Sequence, residues 1–174
     1  MWRSARVRSA HCSAAECRVG SSQVFQYIEK QALEEKDERT HLTCLDILSS
    51  KVFPVAHELL QRDIASTNSK VRYAALKIYA RNPQKESEGI LLEAMNSSEL
   101  ESRQEASYGL GLFSSELSLV ALKKALGDPC MPVRLQSAKS LKKIGSKGIE
   151  ILHQQKGQGD HLTSEIANYV LEFS

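Results

Sequence analysis

Apolar residues recur along the chain with helical spacing, in segments separated by short polar or glycine- and proline-containing stretches. This pattern predicts five pairs of helices. The first helices of the pairs are predicted at 22–36, 53–66, 87–97, 116–127 and 147–155, and the second helices at 38–49, 69–81, 101–113, 131–144 and 162–173. Because the connections are short, we expect successive helices to lie antiparallel and to pack as hairpins.

The pattern itself repeats with a period of 31 residues. Three arginines stand at this spacing, each about one turn into a second helix, and His41 takes the same place one period earlier: Arg72, Arg103 and Arg134. A column of small residues keeps the same phase: Cys44, Ala75, Ala106 and Ser137. The fifth unit is shorter by one residue, so Ser164 takes its arginine position. A fixed period of about 20–50 residues is typical of stacked supersecondary units, each of which contacts only its neighbours.

Residues 127–134 (GDPCMPVR), followed by Ser137-Ala138 and by LKKIG at 141–145, resemble a HEAT repeat. Arg72 with Ala75 and Arg103 with Ala106 match the same pattern, and the subtype is similar to the short phycobilisome-lyase-like and bacterial HEAT repeats. The resemblance covers about residues 22–174. It implies an all-α fold, a right-handed α-solenoid of about five antiparallel helical hairpins. It also implies that the turn aspartate, matched only by Asp128, pairs with an arginine of a neighbouring repeat.

The first twenty residues differ in kind from the rest, because they lack the repeat and are rich in arginine, serine and alanine. We therefore predict two parts: residues 1–20 as a disordered leader, which is a targeting segment, a tag or an artefact, and residues 21–174 as a HEAT-like repeat domain. The leader has no apolar core of the kind that a secretory signal needs. The predicted location is cytoplasmic, or organellar if the leader is a targeting segment.

Charge is divided unevenly along the chain, whose formal net charge is +2. Residues 1–20 hold four of the 23 basic and one of the 21 acidic residues, which leaves 19 basic and 20 acidic residues in the repeats. Nucleic-acid binding is not favoured by this balance, since it needs a basic face against phosphate. A basic cluster around Lys139 and Lys143 lacks interleaved aromatic residues, so it adds little to that case. No run of 18 apolar residues predicts a membrane span.

The sequence offers no arrangement of residues that favours catalysis or cofactor binding. His57-Glu58 is the one His-Glu pair, whereas deoxyhypusine hydroxylase, also a HEAT-repeat protein, binds two irons through several such pairs. The cysteines, Cys12, Cys17, Cys44 and Cys130, lack a second ligand pair at zinc spacing. We therefore predict no enzyme activity, no metal and no cofactor.

The surface of the second helices remains as the candidate site, because these helices usually line the concave face of HEAT proteins. Its outward positions should lie one and five residues after the arginines. They are Tyr73, Lys77, Gln104, Tyr108, Leu135 and Lys139. Tyrosine gives contact area with a polar tip, so these positions favour a protein-binding scaffold or adaptor; the open alternative is that they pack partly between repeats.

Two other functions stay open at this point. One is an accessory subunit or lyase-like HEAT protein that acts on a tetrapyrrole-carrying protein, and the other is a nucleic-acid-binding HEAT protein. The last helix is apolar up to its end, with Tyr169, Val170, Leu171 and Phe173. A terminal repeat should instead show a polar outer face. The C-terminal repeat is therefore predicted to self-associate, or the chain is a piece of a longer solenoid.

Overall fold

The computed structural model describes residues 14–50, 55–84, 86–158 and 160–173, and their side chains from Ser22 onward except that of Gln158. All regular structure in these residues is helical. The ten helices described are α1 (Ala14–Glu34), α2 (Glu38–Ser49), α3 (His57–Ile64), α4 (Ser69–Arg81), α5 (Ser87–Ala94), α6 (Leu100–Leu110), α7 (Glu116–Ala125), α8 (Met131–Ile144), α9 (Ser146–Gln158) and α10 (His161–Phe173).

The helices follow the predicted order, and the bounds of α4 and α8 coincide with the prediction. The predicted start of the first helix at residue 22 is wrong, since α1 begins at Ala14 and so includes residues 14–20 of the predicted leader. Apolar periodicity begins only later, so it could not mark this start. The division at residue 20 stays a prediction. Pro54, expected to open the second pair, lies outside the described residues.

The first helices of several pairs end two to three residues earlier than predicted. After α5 and α7 the backbone tightens, and each N–H bonds to the carbonyl three residues before it, as in Ser97 N–H to Ala94 O and Gly127 N–H to Lys124 O. Helix α6 ends in the same way at Leu110, followed by Gly111. Such turns satisfy the last carbonyls of a helix. Apolar residues continue from the helices into these turns, so the periodic pattern predicted helix ends that lie too late in the sequence.

Two layers of helices build the molecule. Each first helix packs against the second helix of its own pair, and α2, α4, α6, α8 and α10 contact one another in unbroken succession. The first helices contact each other much less. The prediction of an all-α solenoid of antiparallel hairpins is confirmed.

Close packing within the layer of second helices depends on small residues. The predicted small-residue column is buried, with Ala75, Ala106 and Ser137 at 0% exposure. The Ser137 hydroxyl lies 3.1 Å from that of Ser107, which joins α8 to α6. At Gly109 a Cβ atom would lie only 2.8 Å from the Cα of Ala80, so α6 and α4 approach more closely than any larger residue allows. This packing fixes the spacing of the outward side chains on the same helices.

Candidate functional site

The three repeated arginines hold the turn inside each hairpin in the same way. Arg72 Nη1 donates to Ser66 O at 3.0 Å and to Thr67 O at 2.9 Å. The same nitrogen of Arg103 and of Arg134 donates to the carbonyls six and five residues before it, at 2.8–3.2 Å: those of Ser97 and Ser98, and those of Asp128 and Pro129. These carbonyls follow a first helix and have no intrahelical partner. The arginines therefore satisfy backbone groups that every unit leaves open.

The second role of this column is to join one unit to the next through acidic side chains. Arg103 binds both carboxylate oxygens of Asp128, at 2.8 and 3.1 Å. Arg72 Nη2 lies 2.7 Å from Glu99 Oε1, and His41 Nε2 lies 2.8 Å from Asp63 Oδ2. Asp128 is the acid that matches the turn position of the resemblance, and the other two acids take the same part from other positions. Asp63 lies on a first helix and Glu99 just before a second helix, so the acids share no repeat position.

At the end of α1, the open carbonyls are bound by an arginine of the next unit that does not belong to the repeated column. Arg62 of α3 donates to Ala32 O and Leu33 O, both at 3.1 Å, and to Asp63 at 2.9 Å. The repeat pattern does not predict this contact, because Glu93 stands one period after Arg62. His41 and the arginines thus form contacts that hold the units together, and their role is structural.

The six predicted face residues all lie on α4, α6 and α8, and they divide into two groups. Gln104, Tyr108 and Lys139 are exposed, whereas the other three are half-buried: Tyr73, Lys77 and Leu135. Leu135 packs against the core. Lys77 Nζ lies 3.4 Å from Asp46 Oδ1 of α2, across the boundary between two units. Half of the predicted set is therefore only partly accessible to a partner.

Tyr73 is half-buried on this face. Burial raises the pKa of its phenol above the usual value, and the charge of Glu105 adds to the effect. The hydroxyl is therefore protonated at neutral pH and can serve as a hydrogen-bond donor.

Tyr108 lies between two cations. The guanidinium carbon of Arg81 is 6.0 Å from the centre of its ring, and Lys143 Nζ is 5.3 Å from it. Arg81 and Lys143 each stand nine residues after an arginine of the repeat column. The six predicted face residues do not include this position. Contacts of this kind contribute roughly 0.5–1 kcal/mol when exposed. They hold the ring in place while 36% of the residue stays accessible.

A partly buried acid lies beside this ring. Glu105 Oε1 is 3.4 Å from Arg81 Nη2, in a geometry that forms no hydrogen bond. Burial raises the pKa of Glu105, although the charges of Arg81 and Lys77 oppose the shift. The face therefore holds a carboxylate that is poorly stabilised by its own surroundings.

The C-terminal helix extends the same surface with two more rings. In the 30-residue register of the fifth unit, Tyr169 and Phe173 take the positions of Lys139 and Lys143. Their rings lie 5.9 Å apart, and the residues are 52% and 75% exposed. We define the second-helix face by its outward residues: Tyr73, Lys77, Arg81, Gln104, Tyr108, Leu135, Lys139, Lys143, Tyr169 and Phe173. The position nine residues after each arginine position, held by Arg81, Lys143 and Phe173, could have indicated the rest of this face from the sequence.

The edge of α10 that would meet a further unit is polar. In the interior units the position four residues after the arginine faces the next second helix, as Ser107 faces Ser137. In the fifth unit this position is Asn168, and the arginine position is Ser164, whose hydroxyl donates to Lys156 O. Lys142 also donates to Val170 O at 2.8 Å near the end of α10. The predicted self-association through this repeat stays a prediction.

The described residues show no constellation for metal binding or membrane insertion. Among them, no group of three or more His, Cys, Asp or Glu side chains could hold a metal ion, and no described helix is long and apolar enough to cross a membrane. Cys44 and Cys130 are free thiols, and burial raises the pKa of Cys44. Cys12 lies outside the described residues, as does the side chain of Cys17.

A cleft of about 360 Å³ opens on the other layer, between α5 and α7. Leu92, Met95 and Ala121 line it, together with Asp128, whose carboxylate is already bound by Arg103. It thus offers polar and apolar contacts in similar measure, since Asn96 and Lys124 also line it.

Comparisons with known proteins agree with this architecture. A family model described as HEAT repeats matches residues 53–142, which is 90 of the 174 residues. A search of curated proteins found no match. Two crystal structures of engineered proteins, both structural-genomics targets, are similar in fold. One has a TM-score of 0.57 and 19% identity, over 83% of this chain and 77% of that protein. The other has a TM-score of 0.58 and 19% identity, over 91% of this chain and 48% of that protein.

These findings decide the family and leave the finer resemblance unsupported. At 19% identity the two solved structures show the fold alone, and this chain spans about half the length of the second. The family match is to HEAT repeats in general, so the phycobilisome-lyase-like subtype expected from the sequence is not supported. The chain belongs to the HEAT-repeat family.

Proposed function

We propose that this protein is a non-catalytic scaffold that holds a protein partner on its second-helix face. HEAT repeats commonly serve as protein-interaction scaffolds, and solenoids present extended surfaces for this purpose. The observation that carries the proposal is Tyr108, an accessible ring held between Arg81 and Lys143. Tyrosine and arginine are enriched where protein interfaces gain most of their binding energy.

The preorganised state of this ring supports the proposal further. A side chain that is already held by its neighbours loses little conformational entropy when a partner binds. Tyr73 is half-buried, and Lys77 Nζ lies 3.4 Å from Asp46 Oδ1. A partner would therefore meet several outward groups that contacts within the protein already restrain.

The experiment compares the proteins captured from an extract by the native chain and by the variant Tyr73→Ala/Tyr108→Ala. We expect the variant to lose specific partners. A matched control is Leu117→Ala, which removes a 65% exposed side chain from α7 on the other layer and should change nothing. Far-ultraviolet circular dichroism checks that the variants are folded. If the double variant captures every protein that the native chain captures, the proposed face is wrong.

A further inference from the structure

The charges of the second-helix face divide it into two halves. Toward the N-terminus, Lys77 pairs with Asp46 at 3.4 Å and Arg81 lies 3.4 Å from Glu105. Toward the C-terminus, Lys139 and Lys143 are exposed, and neither forms an ion pair with another described residue. Two cations are thus left without a counter-charge in the half formed by α6, α8 and α10.

Aromatic rings stand on both sides of these two lysines. Helix α8 packs against α6 on one side and α10 on the other. Tyr108 lies on α6, with Lys143 Nζ at 5.3 Å from its ring centre, and the Tyr169–Phe173 pair lies on α10. Cations and aromatic residues are therefore interleaved in space, although they are far apart in sequence. The expectation that the cluster around Lys139 and Lys143 lacks interleaved aromatic residues is thus wrong.

Two acids of α10 each lie near a basic side chain of this protein. Glu165 Oε1 lies 3.6 Å from His161 Nε2 on the same helix, and Glu172 Oε1 lies 3.4 Å from Lys156 Nζ. The two lysines could thus accept carboxylates from another molecule. An apolar side chain that covers the exposed Tyr169 and Phe173 would stabilise the complex, because removing apolar surface from water is favourable.

We propose that the half of the face formed by α6, α8 and α10 binds an acidic peptide segment of the partner protein. Its carboxylates pair with Lys139 and Lys143, and one of its apolar side chains packs on Tyr169 and Phe173. This inference rests on the proposed scaffold function and specifies the chemistry of what is bound. A peptide is favoured over a nucleic acid because the described residues of this half offer two exposed lysines, whereas the affinity of a nucleic-acid binder comes from many phosphate contacts.

The test is a selection of random peptides from a displayed library on the native chain. The recovered peptides should be enriched in Asp and Glu together with Leu, Phe, Tyr or Trp. Binding of the strongest peptides is then measured by fluorescence anisotropy. For Lys139→Glu/Lys143→Glu we expect affinity about tenfold or more lower, because each like-charge contact adds to the loss of an ion pair.

Matched controls exist on the first-helix layer. Lys123→Glu/Lys124→Glu on α7 makes the same change in net charge at two other exposed lysines and should leave affinity unchanged. For the rings, Tyr169→Ser/Phe173→Ser should weaken binding. Its control is Leu117→Ser/Val120→Ser, which removes two side chains that are 65% and 62% exposed.

The remaining outcomes contradict this inference, the proposed function, or both. Peptides that need Tyr73 and Tyr108 but show no acidic enrichment, or that bind the Lys139→Glu/Lys143→Glu variant as well as the native chain, overturn this inference and leave the scaffold function standing. A library that yields no peptide dependent on the face overturns both. A single-stranded DNA oligonucleotide is the last probe, and if it competes with the peptides at physiological salt, the assignment to an acidic peptide is wrong.

Discussion

The salt bridge between Arg103 and Asp128 should contribute more to stability than the similar pair one unit earlier. Arg103 donates to both carboxylate oxygens, and the two side chains are only 12% and 10% exposed. Asp128 also accepts the N–H of Cys130 at 2.8 Å. In the earlier pair, Arg72 makes one bond to Glu99, and those side chains are 34% and 31% exposed.

The perturbation is Asp128→Asn, which keeps the size of the side chain and removes its charge. Breaking a buried ion pair costs about 3–5 kcal/mol when the remaining charge has no partner. Here Arg103 keeps its bonds to Ser97 O and Ser98 O, and the new amide oxygen can still accept one hydrogen bond. We therefore expect the free energy of unfolding to fall by about 2–3 kcal/mol. The matched variant Glu99→Gln should cost less than about 1 kcal/mol, because that pair is well solvated.

The pH dependence gives a second, independent check on the same pair. Burial alone would raise the pKa of Asp128, but the hydrogen bonds from Arg103 and Cys130 and the charge of Arg134 outweigh it. The net pKa lies below the ordinary value of 3.8. A lowered carboxyl pKa in the native state gives stability that is present above the unfolded-state value and is lost as the pH falls through the native one. The difference between the native chain and Asp128→Asn should thus be complete at neutral pH and shrink in acid.

Urea unfolding followed by far-ultraviolet circular dichroism measures both quantities. The native chain, Asp128→Asn and Glu99→Gln are compared at neutral pH and again below the ordinary aspartate pKa. A loss for Asp128→Asn no greater than that for Glu99→Gln would refute the reasoning from burial. A difference that stays constant into acid would refute the assignment to the charge.

Three further predictions use the same unfolding measurement. Ala106→Leu should lower stability by about 1–3 kcal/mol, because Ala106 has 0% exposure in the closely packed column. Gly109→Ala should also destabilise, since its Cβ would meet Ala80 at 2.8 Å, whereas Gly89→Ala, at an open helical position, should stabilise by roughly 0.5–1 kcal/mol. Glu105→Gln should leave stability unchanged or higher at neutral pH. Because burial raises the pKa of Glu105 despite Arg81, the native chain should lose stability relative to this variant as the pH rises through that pKa.

The sequence predicted those features that every unit repeats. The small-residue column could be found because Ala75, Ala106 and Ser137 meet the same constraint in each unit, namely close approach of neighbouring second helices. The arginines could be found for the same reason, since each one satisfies two carbonyls at a fixed distance along its own hairpin. A contact within one unit has the same geometry in each unit, so the residues that form it recur with the period.

Contacts between units were harder to predict, because their two partners need not keep a common phase. Asp63, Glu99 and Asp128 play one part from three different repeat positions. An arginine side chain is long enough to reach either Glu99 or Asp128, and a histidine takes its place opposite Asp63, so the position of the acid can vary. A search for an acid at one fixed position therefore found Asp128 alone.

The residues of the candidate site were also hard to predict from the sequence, because they do not recur with the period. A surface position has no packing constraint that repeats, so Arg81, Lys143 and Phe173 at one register position share no residue type. Two of them share a contact: Arg81 on α4 and Lys143 on α8 both lie against the ring of Tyr108 on α6. The period could thus locate the face through its arginines, but only the structure could bring Tyr108, Lys143 and the α10 rings together. A binding surface on a solenoid is defined across the repeats, and its chemistry has to be sought along rows of successive helices.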